Sequence, residues 1–421
     1  MQRAGRHITT GAVALVLLAS AGCGANHETD VQHSRTATIS VDKPVALADE
    51  PVHIRLGDLA SGEKVAVTAR ATDAEGMTWT GRADFNADKR GVVDLDRAKP
   101  TAGTYRDTDG MGLFWSMTPA QGDPDKSWFH TADLQKATSY QVRLTVEAGG
   151  RTIAQQRLTR NWTVSGVRHT ALTVAHDKLN GELFLPPPGG PRRAPVLLVG
   201  GSEGGTASPL AAALLASRGH PALALCYFSC QGRPKNLSGI ALEYFVSAAR
   251  KLAAQPQADP ERLTIIGASR GSEAAQLMAQ YYPDLVDNSV VYMPSRNTNG
   301  AYYQGCLSCG RGHAAWTRNG KGLQLVPIPL NQVRGTVLAI AGGDDRIWGS
   351  LPSAESIARE HNAAGHTYQA LLYPKAGHAL ATVPYLPDSV ESGAGPLGGT
   401  RATNAQAKAD SWPHVLQLLE P

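Results

Sequence analysis

Apolar and polar positions follow two different patterns along the chain. From about residue 38 to 165, short runs alternate or cluster β-forming residues, as in Val52-His-Ile-Arg-Leu56, Lys64-Val-Ala-Val-Thr-Ala69 and Tyr140-Gln-Val-Arg-Leu-Thr-Val146. Turn residues separate these runs at intervals of roughly ten, which predicts an all-β sandwich. From about 166 to 421 the apolar runs become continuous. Pro195–Val199, Ala222–Leu225, Leu263–Ile266 and Thr336–Ala341 read as fully buried strands. Helical patterns lie between and after them, over Pro209–Arg218, Leu237–Ala254, Ser272–Tyr282 and Leu351–Ala364. Strands without a polar face, alternating with helices, predict a mostly parallel sheet covered on both sides. Ligands of such sheets bind at the carboxyl ends of the strands.

The N-terminus has a third pattern. Arg3, Arg6 and His7 precede the short apolar stretch 11–19, and Ser20-Ala21-Gly22-Cys23 follows. A basic segment, a short apolar core and small residues predict an export signal over 1–22. Small residues directly before a cysteine resemble a bacterial lipobox, with Cys23 as the lipidated residue. The polar stretch 23–37 is then a tether. The expected location is extracytoplasmic, with membrane attachment through the lipid.

Composition narrows the classes further. The chain has 421 residues, 42% hydrophobic and 18% charged, which excludes wholesale disorder. A net charge of +4 is too small for an electrostatic nucleic-acid binder. After the N-terminus no apolar run reaches about 18 residues, so a multi-span membrane protein is excluded. Export also gives Cys226, Cys230, Cys306 and Cys309 a meaning. In an oxidising compartment they are disulfide candidates rather than zinc ligands. Their connectivity is open, and bridges between the 226/230 and 306/309 segments are attractive because both are expected to rim one pocket.

Candidate chemistry gathers at the predicted strand ends. Leu263-Thr-Ile-Ile-Gly267-Ala-Ser269-Arg-Gly271 reads as strand, tight turn and helix, and it carries G-x-S-x-G. Small residues flanking the serine permit a strained turn that lifts its hydroxyl above the sheet. Gly200-Gly-Ser202-Glu-Gly204 matches the same motif, but a loop separates it from the next helical pattern. Ser269 is therefore the expected nucleophile. The Ser202–Glu203 segment is the expected source of one oxyanion-hole N–H, with Arg270 supplying the other from its backbone. Downstream, Asp344 and Asp345 follow one strand and His378 follows another. Serine, acid and histidine in that order fit a triad. Chemistry alone does not separate Asp344 from Asp345. Such a triad needs neither a metal nor an organic cofactor.

Taken together, these motifs resemble the acyl-CoA thioesterase and bile acid-CoA:amino acid N-acyltransferase family. The resemblance rests on Asp109-Gly-Met-Gly-Leu-Phe-Trp-Ser-Met117, Gly200–Gly205, Leu242-Glu-Tyr-Phe245, Gly267–Gly271, Gly343-Asp-Asp345, Tyr373–His378 and the C-terminal stretch Ala402–Leu419. It implies an Ig-like sandwich over 38–165 and an α/β-hydrolase domain over 166–421. It also implies Ser269 as nucleophile, Asp345 as acid and His378 as base. Conjugating members tend to use cysteine as nucleophile, so serine favours hydrolysis. The expected partner is a small-molecule acyl thioester. Oxygen esters are the alternative substrate class, and a non-catalytic binding lipoprotein is the alternative function.

Overall fold

The β-forming runs pair as their alternation requires. This computed structural model describes residues 36–420, except 132, 207, 304–309, 311, 325 and 394. The leader over 1–22, Cys23, most of the tether, Cys306 and Cys309 lie outside the described residues. In the first part of the chain, Thr38–Val41, Ile54–Gly57 and Val93–Asp94 form a three-stranded sheet. A seven-stranded sheet is built around Lys64–Thr72, Thr78–Asn86, Ser139–Ala148 and Arg151–Asn161. Every second residue of Lys64–Thr72 is buried, so Val65, Val67, Ala69 and Ala71 face inward. They share one core with Ile54, Leu56, Trp79, Phe85, Val142, Leu144 and Trp162, which closes the two sheets into a sandwich. Each such large side chain contributes about 1.5–3 kcal/mol on burial.

The second part is an eight-stranded sheet. Its strands are β1 (Arg168–Leu172), β2 (Asn180–Leu185), β3 (Val196–Val199) and β4 (Ala222–Cys226). They continue with β5 (Thr264–Ala268), β6 (Asn288–Tyr292), β7 (Val337–Gly342) and β8 (Gln369–Tyr373). The spatial order is β1-β2-β4-β3-β5-β6-β7-β8. The β1–β2 and β2–β4 pairings are antiparallel and the other five are parallel. Alternate residues of β3 feed opposite cores: Leu197 and Val199 pack on one face, Val196 and Leu198 on the other. Helices α2 (Leu242–Ala253), α3 (Arg270–Tyr281) and α4 (Ser350–Ala358) cover the first face. Helices α1 (Pro209–Ser217) and α5 (Arg401–Leu419) cover the second. This is the helix-covered, mostly parallel sheet that the continuous apolar runs predict, and the α/β-hydrolase architecture that the resemblance implies.

Two helix predictions are too long. Leu237 exchanges both backbone hydrogen bonds with Tyr302, and Ile240–Ala241 pairs with Trp316–Thr317, so α2 starts only at Leu242. Helix α4 stops at Ala358: beyond it the Ala363 N–H donates to the Val333 carbonyl, and the Asn362 side chain bonds the carbonyls of Arg334 and Gly335. In both places a tertiary partner takes backbone groups that helical periodicity had claimed.

Sandwich and sheet are joined by buried polar contacts. The Trp412 indole N–H donates to Asp49 at 2.6 Å, and Arg218 forms an ion pair with the same carboxylate at 3.0 Å. Arg401 donates to the carbonyls of Trp115 and Met117. Among the described residues no helix is long and apolar enough to cross a membrane.

Candidate active site

The site is built on a turn that only small residues allow. β5 ends at Ala268, and Ser269 adopts φ +51° and ψ −118° before α3 begins at Arg270. That left-handed region is costly for any residue bearing a Cβ, and it persists only where its surroundings enforce it. The Ser269 N–H donates to the Tyr292 carbonyl of β6 at 2.9 Å, which pins the turn. A Cβ on Gly267 would stand 2.2 Å from the Gly271 carbonyl oxygen, and one on Gly271 would stand 2.3 Å from that of Gly200. The G-x-S-x-G spacing is therefore a steric requirement of strand, helix and neighbouring loop crossing so closely.

Two further strand ends bring their side chains to Ser269. His378 follows β8, and its backbone N–H is fixed on the Leu397 carbonyl at 2.8 Å. Its Nε2 lies 3.0 Å from Ser269 Oγ, and its Nδ1 lies 2.8 Å from Asp345 Oδ2. The other Asp345 oxygen accepts the N–H groups of Ile347 at 2.9 Å and Trp348 at 3.2 Å. The His378 side chain is 9% exposed and that of Asp345 2%, so water screens their contact little. The edge of the Trp348 ring closes over His378 with 5.8 Å between centroids. Asp344 takes another direction. It accepts the Gly399 N–H at 2.9 Å and pairs with Arg346, and the Gly399 bond holds its carboxyl below the usual range. Geometry thus separates two aspartates that chemistry leaves equivalent.

The Gly-rich loop after β3 lies against Ser269. A Cβ on Gly201 would fall 2.9 Å from that of Ser269. Ser202 is half-buried in this loop. The Glu203 carboxylate accepts the Gly201 N–H at 2.8 Å. Glu203 as a residue is exposed, yet its carboxyl is turned inward, and that desolvation raises its pKa against the pull of its backbone donors. Arg270 opens α3, so its backbone N–H is among those without a partner inside the helix. Its guanidinium points elsewhere, pairing with the buried Glu273 at 2.7 Å and donating to the carbonyls of Asn299 and Gly300. Glu273 also accepts from Asn299 and from the Trp316 indole at 2.7 Å. Burial pushes the Glu273 carboxyl up despite these partners. This network ties α3 to Asn299, Gly300 and Trp316.

The cysteines correct one expectation. Cys226 bonds to Cys230, four residues on, rather than to the 306/309 segment. Ser229 takes φ +58° and turns the chain back, so the Cα atoms of the two cysteines come within 6.6 Å. A bridge within one loop closes off the cross-links that sequence proximity to a shared pocket had suggested. Among the described residues no group of histidine, cysteine and carboxylate side chains could hold a metal ion.

Residues 49–174 match the acyl-CoA thioester hydrolase/BAAT N-terminal region, and residues 314–421 match the BAAT/acyl-CoA thioester hydrolase C-terminal region. The chain belongs to the acyl-CoA thioester hydrolase/BAAT family. Asp345 and His378 fall inside the second matched stretch, while Ser269 lies between the two. Human mitochondrial acyl-coenzyme A thioesterase 2 is 29% identical over 86% of this chain and 80% of its own length. Mouse acyl-coenzyme A thioesterase 6 is 28% identical over 90% and 95%. A dienelactone hydrolase structure from Anabaena variabilis is 19% identical with a TM-score of 0.36, covering 59% of this chain and 98% of its own. The chain is an enzyme of the hydrolase class.

Sequence reasoning missed three elements around the site: the Glu203 carboxylate on the Gly201 N–H, the Arg270–Glu273 network, and Tyr227, whose hydroxyl donates to the Gly200 and Gly201 carbonyls. Tyr227 carried a signal, since it lies two residues past the end of the predicted strand Ala222–Leu225, and site residues gather at such ends.

Proposed function

We propose that this enzyme hydrolyses acyl-CoA or a closely similar acyl thioester through a covalent Ser269 intermediate. The observation that carries the reading is the continuous contact from Ser269 Oγ through His378 to Asp345 at a strained elbow. Family membership supports the thioester substrate class. In this reading His378 Nε2 takes the Ser269 proton as Oγ attacks the thioester carbonyl carbon. Asp345 holds the imidazole in the reactive tautomer and stabilises its cation. The tetrahedral oxyanion receives the Arg270 N–H and an N–H of the 201–203 loop. Collapse expels the thiolate, which His378 protonates, leaving acyl-Ser269. His378 then deprotonates a water, which attacks the acyl-enzyme and releases the carboxylic acid.

Steady-state kcat/KM on acyl-CoA and on p-nitrophenyl esters tests the substrate class. Higher efficiency on the thioester supports the reading. Ester turnover without CoA release overturns it in favour of an oxygen-ester hydrolase. For location, the lipobox-like Ser20–Cys23 supports an exported protein anchored at Cys23. Metabolic labelling with a fatty acid checks this, and label surviving Cys23→Ala contradicts it.

A further inference from the structure

The predicted oxyanion donors are backbone groups in a glycine-rich loop, and such a loop does not hold its own orientation. An oxyanion hole acts through donors fixed before charge develops, so something must fix these. Two contacts do so from opposite sides. The Tyr227 hydroxyl lies 2.8 Å from the Gly200 carbonyl oxygen and 3.1 Å from that of Gly201. The Glu203 carboxylate accepts the Gly201 N–H from the other side.

Those two carbonyls belong to the peptide units that carry the N–H groups of Gly201 and Ser202. A trans peptide is planar, with its C=O and N–H pointing in opposite directions. Gripping the oxygens therefore sets where the Gly201 and Ser202 N–H groups aim. We propose that Tyr227 is a positioning residue for the oxyanion hole, holding the Gly200–Ser202 backbone so that the Ser202 N–H faces the reacting carbonyl beside Ser269. This rests on the triad reading given above.

Tyr227 is itself immobilised. It is 1% exposed, its ring packs against Phe228, Phe245 and Trp316, and it sits inside the Cys226–Cys230 loop. The same loop meets the glycine-rich segment a second time, where the Gly205 N–H donates to the Phe228 carbonyl at 3.1 Å. Burial, with Glu203 nearby, raises the Tyr227 pKa far above its usual value, so the hydroxyl keeps the proton it donates.

The test compares wild type, Tyr227→Phe, and protein with 3-fluorotyrosine incorporated at 227, using kcat, KM and two probes. One probe is a non-hydrolysable thioether analogue of the substrate. The other is the matching trifluoromethyl ketone, which forms a tetrahedral adduct with the serine. Tyr227→Phe is expected to lower kcat about 10- to 100-fold, with KM within about two-fold. The ketone should weaken by the same factor and the thioether analogue should bind unchanged. Fluorotyrosine, which restores the hydroxyl, should return kcat to within about three-fold of wild type. It also serves where the phenylalanine variant does not fold. Wild-type kcat in Tyr227→Phe, or equal weakening of both probes, overturns the proposal, as does a fluorotyrosine protein that folds but stays inactive. Ser269→Ala, measured alongside, separates the two levels: full activity there strikes down the triad reading itself.

Discussion

His378, the base of the proposed mechanism, differs from an ordinary buried histidine only in what its two ring nitrogens meet. Its ring is held between one carboxylate oxygen and one hydroxyl, with Trp348 against it. Replacing Asp345 with asparagine keeps the shape but favours the wrong tautomer, so kcat should fall by about 10⁴. Asp344→Asn should change kcat less than about ten-fold, since Asp344 serves Gly399 and Arg346. Steady-state kinetics on both variants checks the pair, and equal losses would contradict the assignment. Ser269, His378 and the two aspartates were legible because each follows a recognisable strand in the order a triad requires. The choice between the aspartates needed the folded backbone, which turns adjacent side chains in opposite directions. The Tyr227 contact needed it too, because its partners are carbonyls and no sequence motif marks a carbonyl.

At the scale of elements, the β5–turn–α3 unit is a single steric object. Gly271→Ala pushes a methyl into the backbone of the neighbouring β3 loop, where the nearest carbonyl oxygens would be 2.3 and 2.6 Å away. Overpacking of this kind costs about 1–3 kcal/mol, and rigid backbone partners favour the upper end. Denaturant unfolding should show that loss, and a midpoint equal to wild type would mean that the crossing is looser than described. The core strands β3, β4, β5 and β7 could be read directly, because burial on both faces leaves no polar alternation to confuse them. Strand β6 could not be singled out, since Asn288 and Ser289 interrupt its apolar run, although all five residues are buried. The start of α2 was misplaced for the opposite reason: its apolar periodicity continues upstream into residues that pair with Tyr302 and Trp316 instead.

Across the whole molecule, the sandwich is bound to the hydrolase sheet by polar groups far apart in sequence. Asp49 accepts from Trp412 in α5 and from Arg218 just after α1, and its side chain has no exposure. Asp49→Ala leaves the Trp412 indole N–H without its partner and Arg218 with only Glu50 and the Leu214 carbonyl, which should cost about 1–3 kcal/mol. Equilibrium unfolding of the full chain measures that cost, and kcat of the folded fraction should stay within about two-fold because the triad is untouched. A large kcat loss without destabilisation would instead make this junction part of catalysis. The two-part organisation was legible from the change in hydrophobic period near residue 166, whereas the contacts across it were not. Asp49 and Trp412 are 363 positions apart, and nothing local to either marks the other.

The most direct measurement is rapid acid quenching of enzyme mixed with excess acyl-CoA, followed by mass spectrometry of its peptides. During turnover the acyl group should be found on the peptide containing Ser269, in near-stoichiometric amount if deacylation is rate-limiting and in lesser amount otherwise, and Ser269→Ala should abolish it. Acylation of Ser202 or of a cysteine, or CoA release at wild-type rate from Ser269→Ala, would contradict the account.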